Sequence, residues 1–197
     1  MNARGSTSRD AIVRAALAGA RDRGWEEISM QEVRLRAGVS NGSLFHHFPT
    51  RQDLESAVVA AGLVEHDGAL LVELRMSTGA REGVRGVVVR HLAWVRENPR
   101  VAVLLLSARP PALRAAVPPE VVEDSRRFFA EVAAWLRRHG WSGQPALPVV
   151  NALWLGPAND VARGWLTAGG EEPAGAVAAV VADAAWHALR AHLRVDA

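Results

Sequence analysis

Apolar residues recur three and four positions apart along almost the whole chain, and no alternating period-2 run bounded by Asn-Gly or Asp-Gly turns interrupts them. A stripe at that spacing forms one face of an α-helix, and a half-buried strand needs the missing alternation, so the sequence predicts an all-α fold. Ile12, Val13, Ala16, Leu17 and Ala20 make the first stripe. Thr7 and Ser8 are its candidate N-caps and Gly24 its stop, which predicts a helix over 9–23. Ser29 followed by Glu32 has the pattern of a capping box and opens a short helix carrying Met30, Val33 and Ala37 up to Gly38. Ser40 caps a second short helix over 41–47, with Val39 and Leu44 turned inward. Pro49 stops it, and Thr50 with Asp53 caps a long helix predicted over 51–76.

Beyond Ser77-Thr78-Gly79, a helix over 81–97 places Val84, Val88, His91, Leu92 and Val95 on one face and ends at Asn98-Pro99, after which an apolar segment runs to Ser107. Four prolines make 109–119 a loop, and helix resumes over 120–139 with Val121, Phe128, Phe129, Val132 and Leu136 on one stripe, ended by Gly140. The last two helices, over 148–167 and 174–194, are apolar around much of their circumference. A helix apolar on more than one side needs a second surface, so Val161, Trp165, Val177, Val181, Trp186 and Leu189 are candidates for a homodimer interface. The alternative is a core helix pair within one chain. Pro157 is expected to bend its helix after Gly156.

The chain has 197 residues, a formal net charge of +2 and a pI near 10.7. All 23 basic residues are Arg, and Lys, Tyr and Cys are absent, so almost nothing titrates between His and Arg and a small surplus of charge inflates the pI. The position of that surplus is more telling. Residues 1–54 hold eight Arg against six acids, and the remainder is balanced. The absence of Cys excludes a disulfide framework, thiol catalysis and Cys-ligated zinc. The apolar stretches are far short of a membrane span and the first ten residues lack an apolar signal core, so a soluble, cytoplasmic protein is expected. No P-loop, G-x-S-x-G or G-x-G-x-x-G run occurs, and the pattern does not read as an enzyme. Neither a cofactor nor a metal is expected: His46 and His47 are adjacent, and neighbouring helical side chains diverge by about 100°, too far to chelate one ion easily.

Residues 29–48 combine a capped short helix, a turn containing Gly38 and a second capped short helix, which is the arithmetic of a helix-turn-helix. Gly38 allows a positive φ at the first helix's end, so the second helix can cross at a steep angle. Asn41, Ser43, Phe45, His46 and His47 lie on the second helix's outer face. Asn and Ser hydrogen-bond base edges, an aromatic ring lies against a thymine methyl or a sugar, and His reaches phosphate.

The run from Ala37 to Phe48, followed by Arg51 and Leu54, closely resembles the helix-turn-helix of the TetR (tetracycline-repressor-like) family, and Ile12, Ala15, Ala16 and Gly24 fall where that family's first helix has them. The resemblance covers residues 8–54. Farther on, Asn98-Pro99, Gly156-Pro157 and Arg163-Gly164-Trp165-Leu166 are similar to family members. It implies a DNA-binding domain at 1–50, a helical ligand-binding and dimerisation bundle at 51–197, and a homodimeric repressor released from a palindromic operator by a small apolar effector. On the same footing, Asn41, Gly42, Ser43 and Phe45 face bases or sugars, and Ser29, Ser40, His47, Thr50 and Arg51 meet phosphates. Three residues depart from the family pattern. Phe45 stands where Tyr is common, Ala20 stands where a large aromatic packs and Trp25 could fill the space, and Arg34 stands where a small residue lets the helices approach.

The bundle's large aromatics suggest an apolar pocket lined by His91, Trp94, Phe128, Phe129, Asn151 and Trp154. For His91, a hydrogen-bonded core position is the first reading and a ligand contact the second. A ligand-independent DNA-binding dimer is the competing reading of the whole chain.

Overall fold

The computed structural model describes residues 3–106, 119–168 and 175–193, and among these every regular element is helical. The elements are α1 (Ala3–Arg23), a 3-10 turn at Trp25–Glu27, α2 (Met30–Ala37), α3 (Asn41–His47), α4 (Arg51–Met76), α5 (Ala80–Glu97), α6 (Pro99–Leu106), α7 (Pro119–Arg138), α8 (Leu147–Ala168), α9 (Gly175–Leu189) and a 3-10 turn at Arg190–His192. Two expected boundaries are corrected. The first helix starts at Ala3 and not at 9, because nothing in that stretch forbids helix; Gly5 costs about 1 kcal/mol, so Thr7 and Ser8 lie within the helix instead of capping it. The last helix gives way to a 3-10 turn after Leu189 instead of running to 194, a common tightening of a final turn. The loop expected over 109–119 lies, up to Pro118, outside the described residues.

The chain divides into two compact units, one of residues 1–64 with 98–122 and one of residues 65–97 with 123–197. In the first unit, Ile12, Ala16, Leu17 and Ala20 of α1 are buried with Trp25, Ile28, Val33, Leu44, Phe48, Leu54 and Val58. Ala20 is fully buried and Trp25 is 5% exposed, so the indole belongs to this core, as its proximity to the small residue suggested. The α1–α2 corner is also tied at its surface by Arg23–Glu32 at 2.6 Å and Arg36–Asp22 at 3.0 Å. Exposed pairs of this kind contribute about 0–1 kcal/mol each, so the apolar core dominates. Pro99 opens α6, where its missing N–H is harmless, and α6 packs on α1. A side chain at Gly62 would crowd Val101 and Leu105 of α6 at 3.0–3.1 Å, so glycine permits that close approach.

In the second unit α5 is the central element, packed by α8 and α9. Its Val84, Val88, His91, Leu92 and Val95 are buried, as the stripe predicted, and Val87 is buried beside them. The Trp154 indole N–H donates to the Val84 carbonyl at 2.8 Å across the α8–α5 contact. The Trp135 ring lies so close to Gly83 that a Cβ there would overlap it. Arg85 pairs with Asp183 of α9.

Candidate functional site

The corner from Ser29 to Arg51 is assembled by side chains that cap their own helices. Ser29 Oγ accepts from the Glu32 backbone N–H at 3.2 Å, while the Ser29 backbone N–H donates to Glu32 Oε2 at 3.0 Å, a complete capping box. These hydrogen bonds from Ser29, together with the one from Arg23, lower the Glu32 pKa to about 2. Gly38 ends α2 at φ 67°, the left-handed conformation the turn needs, and its N–H returns to the carbonyls of α2. The Ser43 backbone N–H donates to Ser40 Oγ at 3.1 Å, fixing the first turn of α3, and Leu44 anchors that helix at 1% exposure. Thr50 repeats the device: its N–H and hydroxyl donate to Asp53 Oδ2 at 2.9 and 2.7 Å, and its Oγ1 accepts from the Asp53 N–H at 3.1 Å.

This arrangement sorts the residues expected to contact DNA. Asn41, Gly42, Phe45 and His46 are exposed along α3, with Phe45 at 45%, and Ser43 and His47 are half-buried beside them. Nothing lies within 4 Å of a Cβ built on Gly42, so the chain itself does not demand glycine there and an approaching partner would find room. Ser40 is exposed, and its capping bond uses the oxygen lone pair and not the hydroxyl hydrogen. Ser29 and Thr50 are also exposed, but their hydroxyls point into their caps at Glu32 and Asp53.

Arg51 has a role that no local pattern announces. Its guanidinium donates to the carbonyls of Ile28 at 2.5 Å and Trp25 at 2.6 Å and stacks 4.7 Å from the Trp25 ring centroid. It therefore ties the start of α4 to the chain between α1 and α2, and the fork that could grip a phosphate is directed inward. Two other features were not foreseen. Arg9 lies over the Phe48 ring at 5.5 Å, and Arg34 reaches the Val39 carbonyl at 3.5 Å, so its long side chain lies along the turn.

The residues expected around an effector all belong to the second unit. His91 is buried at 2% exposure, Trp94 and Trp154 are buried, Phe128 is at the buried edge and Phe129 is 39% exposed, with the two Phe rings 5.1 Å apart. Asn151 is half-buried. Trp154 has committed its single donor to Val84, and its ring centroid is 5.9 Å from that of Trp135. The surface hollows among the described residues of this unit include the following two. One of about 440 Å³ is lined by Thr78, Arg81, Glu82, Arg85 and Trp186, and one of about 240 Å³ by Val89, Leu92, Arg96, Trp165 and Ala178 among others. None of the six expected pocket residues lines either one.

The candidate interface residues divide similarly. Val181, Trp186 and Leu189 are buried within the chain itself, a position compatible with the core-pair alternative. Val161 and Trp165 are half-buried, and Val177 is 38% exposed. The apolar surface left uncovered on α8 and α9 is instead Val149, Leu153, Val177 and Val180, the last 68% exposed. Among the described residues no group of three or more His, Asp or Glu is placed to hold a metal ion, and no helix is long and apolar enough to cross a membrane.

Residues 12–58 match the family model of bacterial regulatory proteins of the tetR family. Among solved structures, the chain is similar to a TetR family transcription regulator from Marinobacter aquaeolei, with 19% identity over 95% of this chain and 98% of that one and a TM-score of 0.62. It is similar to the transcriptional regulator FadR from Bacillus subtilis, solved in complex with stearoyl-CoA, with 13% identity over 89% and 96% of the two chains and a TM-score of 0.65. The fatty acid degradation regulator FadR from Bacillus halodurans matches at 14% identity over 91% and 97%, with a TM-score of 0.64. Comparison with curated proteins gives no match. The family match is thus confined to the segment that holds the helix-turn-helix, and the chain as a whole shares the fold of these regulators.

Proposed function

We propose that this tetR-family regulator is a cytoplasmic, homodimeric repressor that binds a palindromic operator and releases it on taking up a small, largely apolar effector. Residues 1–50 read DNA, and residues 51–197 dimerise and receive the effector. One observation carries the DNA-binding part. Three successive caps at Ser29, Ser40 and Thr50 hold α3 so that Asn41, Gly42, Phe45 and His46 are exposed together, on the part of the chain that holds the whole net positive charge. Asn41 and Ser43 would address base edges and Phe45 a thymine methyl or sugar. Ser40 and His47 would meet phosphates, with Ser29, Thr50 and Arg51 holding the backbone that does so.

The exposed apolar residues Val149, Leu153, Val177 and Val180 support dimerisation through α8 and α9. A dimer of helix-turn-helix domains reads half-sites about 34 Å apart, so an effector that alters this spacing weakens operator binding, with α4 as a covalent path between the two units. The bound stearoyl-CoA of the Bacillus subtilis FadR supports an effector with an apolar body. The competing reading is a DNA-binding dimer that needs no effector.

The deciding experiment measures binding of the chain to the DNA upstream of its own and the adjacent gene, by fluorescence anisotropy over a salt series. Replacing both Asn41 and Ser43 with Ala is expected to lower affinity about tenfold or more. Unchanged affinity would remove the DNA-binding role. Release of that DNA by an apolar ligand separates the repressor from the effector-independent dimer.

A further inference from the structure

Among the described residues, His91 Nε2 is a buried side-chain nitrogen with no hydrogen-bond partner, whereas buried polar groups are nearly always paired. On the same helix Val87, Val88, Trp94 and Val95, three and four positions to either side, are buried as well. The other nitrogen of His91 is held. His91 Nδ1 lies 2.9 Å from His66 Nε2, and His66 Nδ1 lies 3.0 Å from Asp67 Oδ1, which makes a three-member chain from α4 to α5. The Trp94 ring braces His66 edge-on, with centroids 5.0 Å apart.

The direction of these bonds is set from the far end. A carboxylate only accepts, so His66 carries its hydrogen on Nδ1, and a neutral His66 then offers a lone pair at Nε2. His91 must donate to it from Nδ1, and a neutral imidazole with Nδ1–H has a lone pair at Nε2. Burial lowers the His91 pKa to about 3, a proton on the neighbouring His66 would push it the same way, and the His91 ring is kept neutral. The unpartnered atom is therefore an acceptor in apolar surroundings.

We propose, resting on the reading of this chain as an effector-responsive regulator, that His91 Nε2 is the polar anchor of the effector site and that Asp67 and His66 set it as an acceptor. The effector is then a neutral, apolar molecule carrying a hydroxyl or an amide N–H. A carboxylate or an ether offers no donor and leaves Nε2 unpaired, and a site built around a hydrogen bond rejects ligands that cannot make it. His66 and Asp67 are positioning residues: they touch His91 and not the effector.

The test uses the full chain labelled with ¹⁵N at histidine, so that ring-nitrogen shifts report the tautomers, and titrates 1-octanol against octyl methyl ether, which has the same apolar body without the donor. The expected result is an Nδ1–H tautomer at His91, a shift of its Nε2 resonance on adding 1-octanol, and binding of the alcohol about tenfold or more tighter than the ether. An Nε2–H tautomer, equal response to both probes, or no response to either overturns the proposal. His91→Leu is expected to keep the thermal midpoint and lose the response. Asp67→Asn, whose amide can donate to His66 Nδ1, is expected to move His91 toward the Nε2–H tautomer, a change that a merely structural role would not produce. DNA binding by the same preparation without probe reports separately on the regulator reading: a chain that binds no DNA while His91 responds to 1-octanol keeps the anchor and loses the repressor.

Discussion

The two units hold themselves together in opposite ways. Around α2 and α3 the polar contacts are exposed and local, with each cap closing over three residues, on an apolar core that includes Leu44, Val33 and Phe48. Around α5 they are apolar and distant in sequence, with Trp154 on Val84 and α9 on α5, and the buried polar chain at His91 joins residues 25 positions apart. The lesson is that the surface proposed to meet DNA is shaped by neighbours along the chain. The interior that would hold an effector is shaped by packing between helices.

Breaking each side should therefore have different consequences. The largest effect is expected from Leu44→Ala, which empties the 1%-exposed anchor of α3 and should cost about 3 kcal/mol in urea unfolding and abolish DNA binding. Next comes the pair of helical glycines. Gly83→Ala sets a methyl into the Trp135 ring and should cost about 1–3 kcal/mol, whereas Gly42→Ala meets open space and should leave stability within about 0.5 kcal/mol while weakening DNA binding. Stability losses of equal size at the two glycines would erase the contrast.

Ser29→Ala removes one capping partner and should cost about 1 kcal/mol, read as a lowered thermal midpoint. The acid response sharpens the comparison further. His91 is held neutral when folded but takes a proton near 6.5 when unfolded, so its contribution is complete above about pH 6.5 and is lost as pH falls toward about 3. Glu32 acts later, losing its contribution as pH falls from about 4.5 to about 2. In a pH series of unfolding midpoints, His91→Leu should flatten the upper limb and leave the lower one, with the smallest change at neutral pH. An unchanged upper limb would show that His91 is already solvated.

How much could be read from residues alone follows the same division. The boundaries of α3 and α4, the capping box at Ser29 and the positive φ at Gly38 were all legible, because a cap is a relation between residues three apart and a glycine C-cap needs only its own backbone. The Arg51 fork on Trp25 and Ile28 was not, since its partners lie 26 and 23 residues earlier and Arg at that position suits an outward phosphate contact equally well. The His66–His91 contact is hidden for the same reason: nothing near His66 in the chain marks it as the partner of His91.

The order and period of the residues determined that the chain is helical, where the helix-turn-helix lies and which side of each helix is apolar. Only the tertiary structure decided what covers each apolar face. Val181, Trp186 and Leu189 are buried within the chain itself, while Val177 and Val180 on the same helix stay exposed. The physical reason is that helical periodicity records a demand for burial without naming the surface that meets it. That choice depends on which helices come together, and on whether a buried nitrogen such as His91 Nε2 finds a partner when they do.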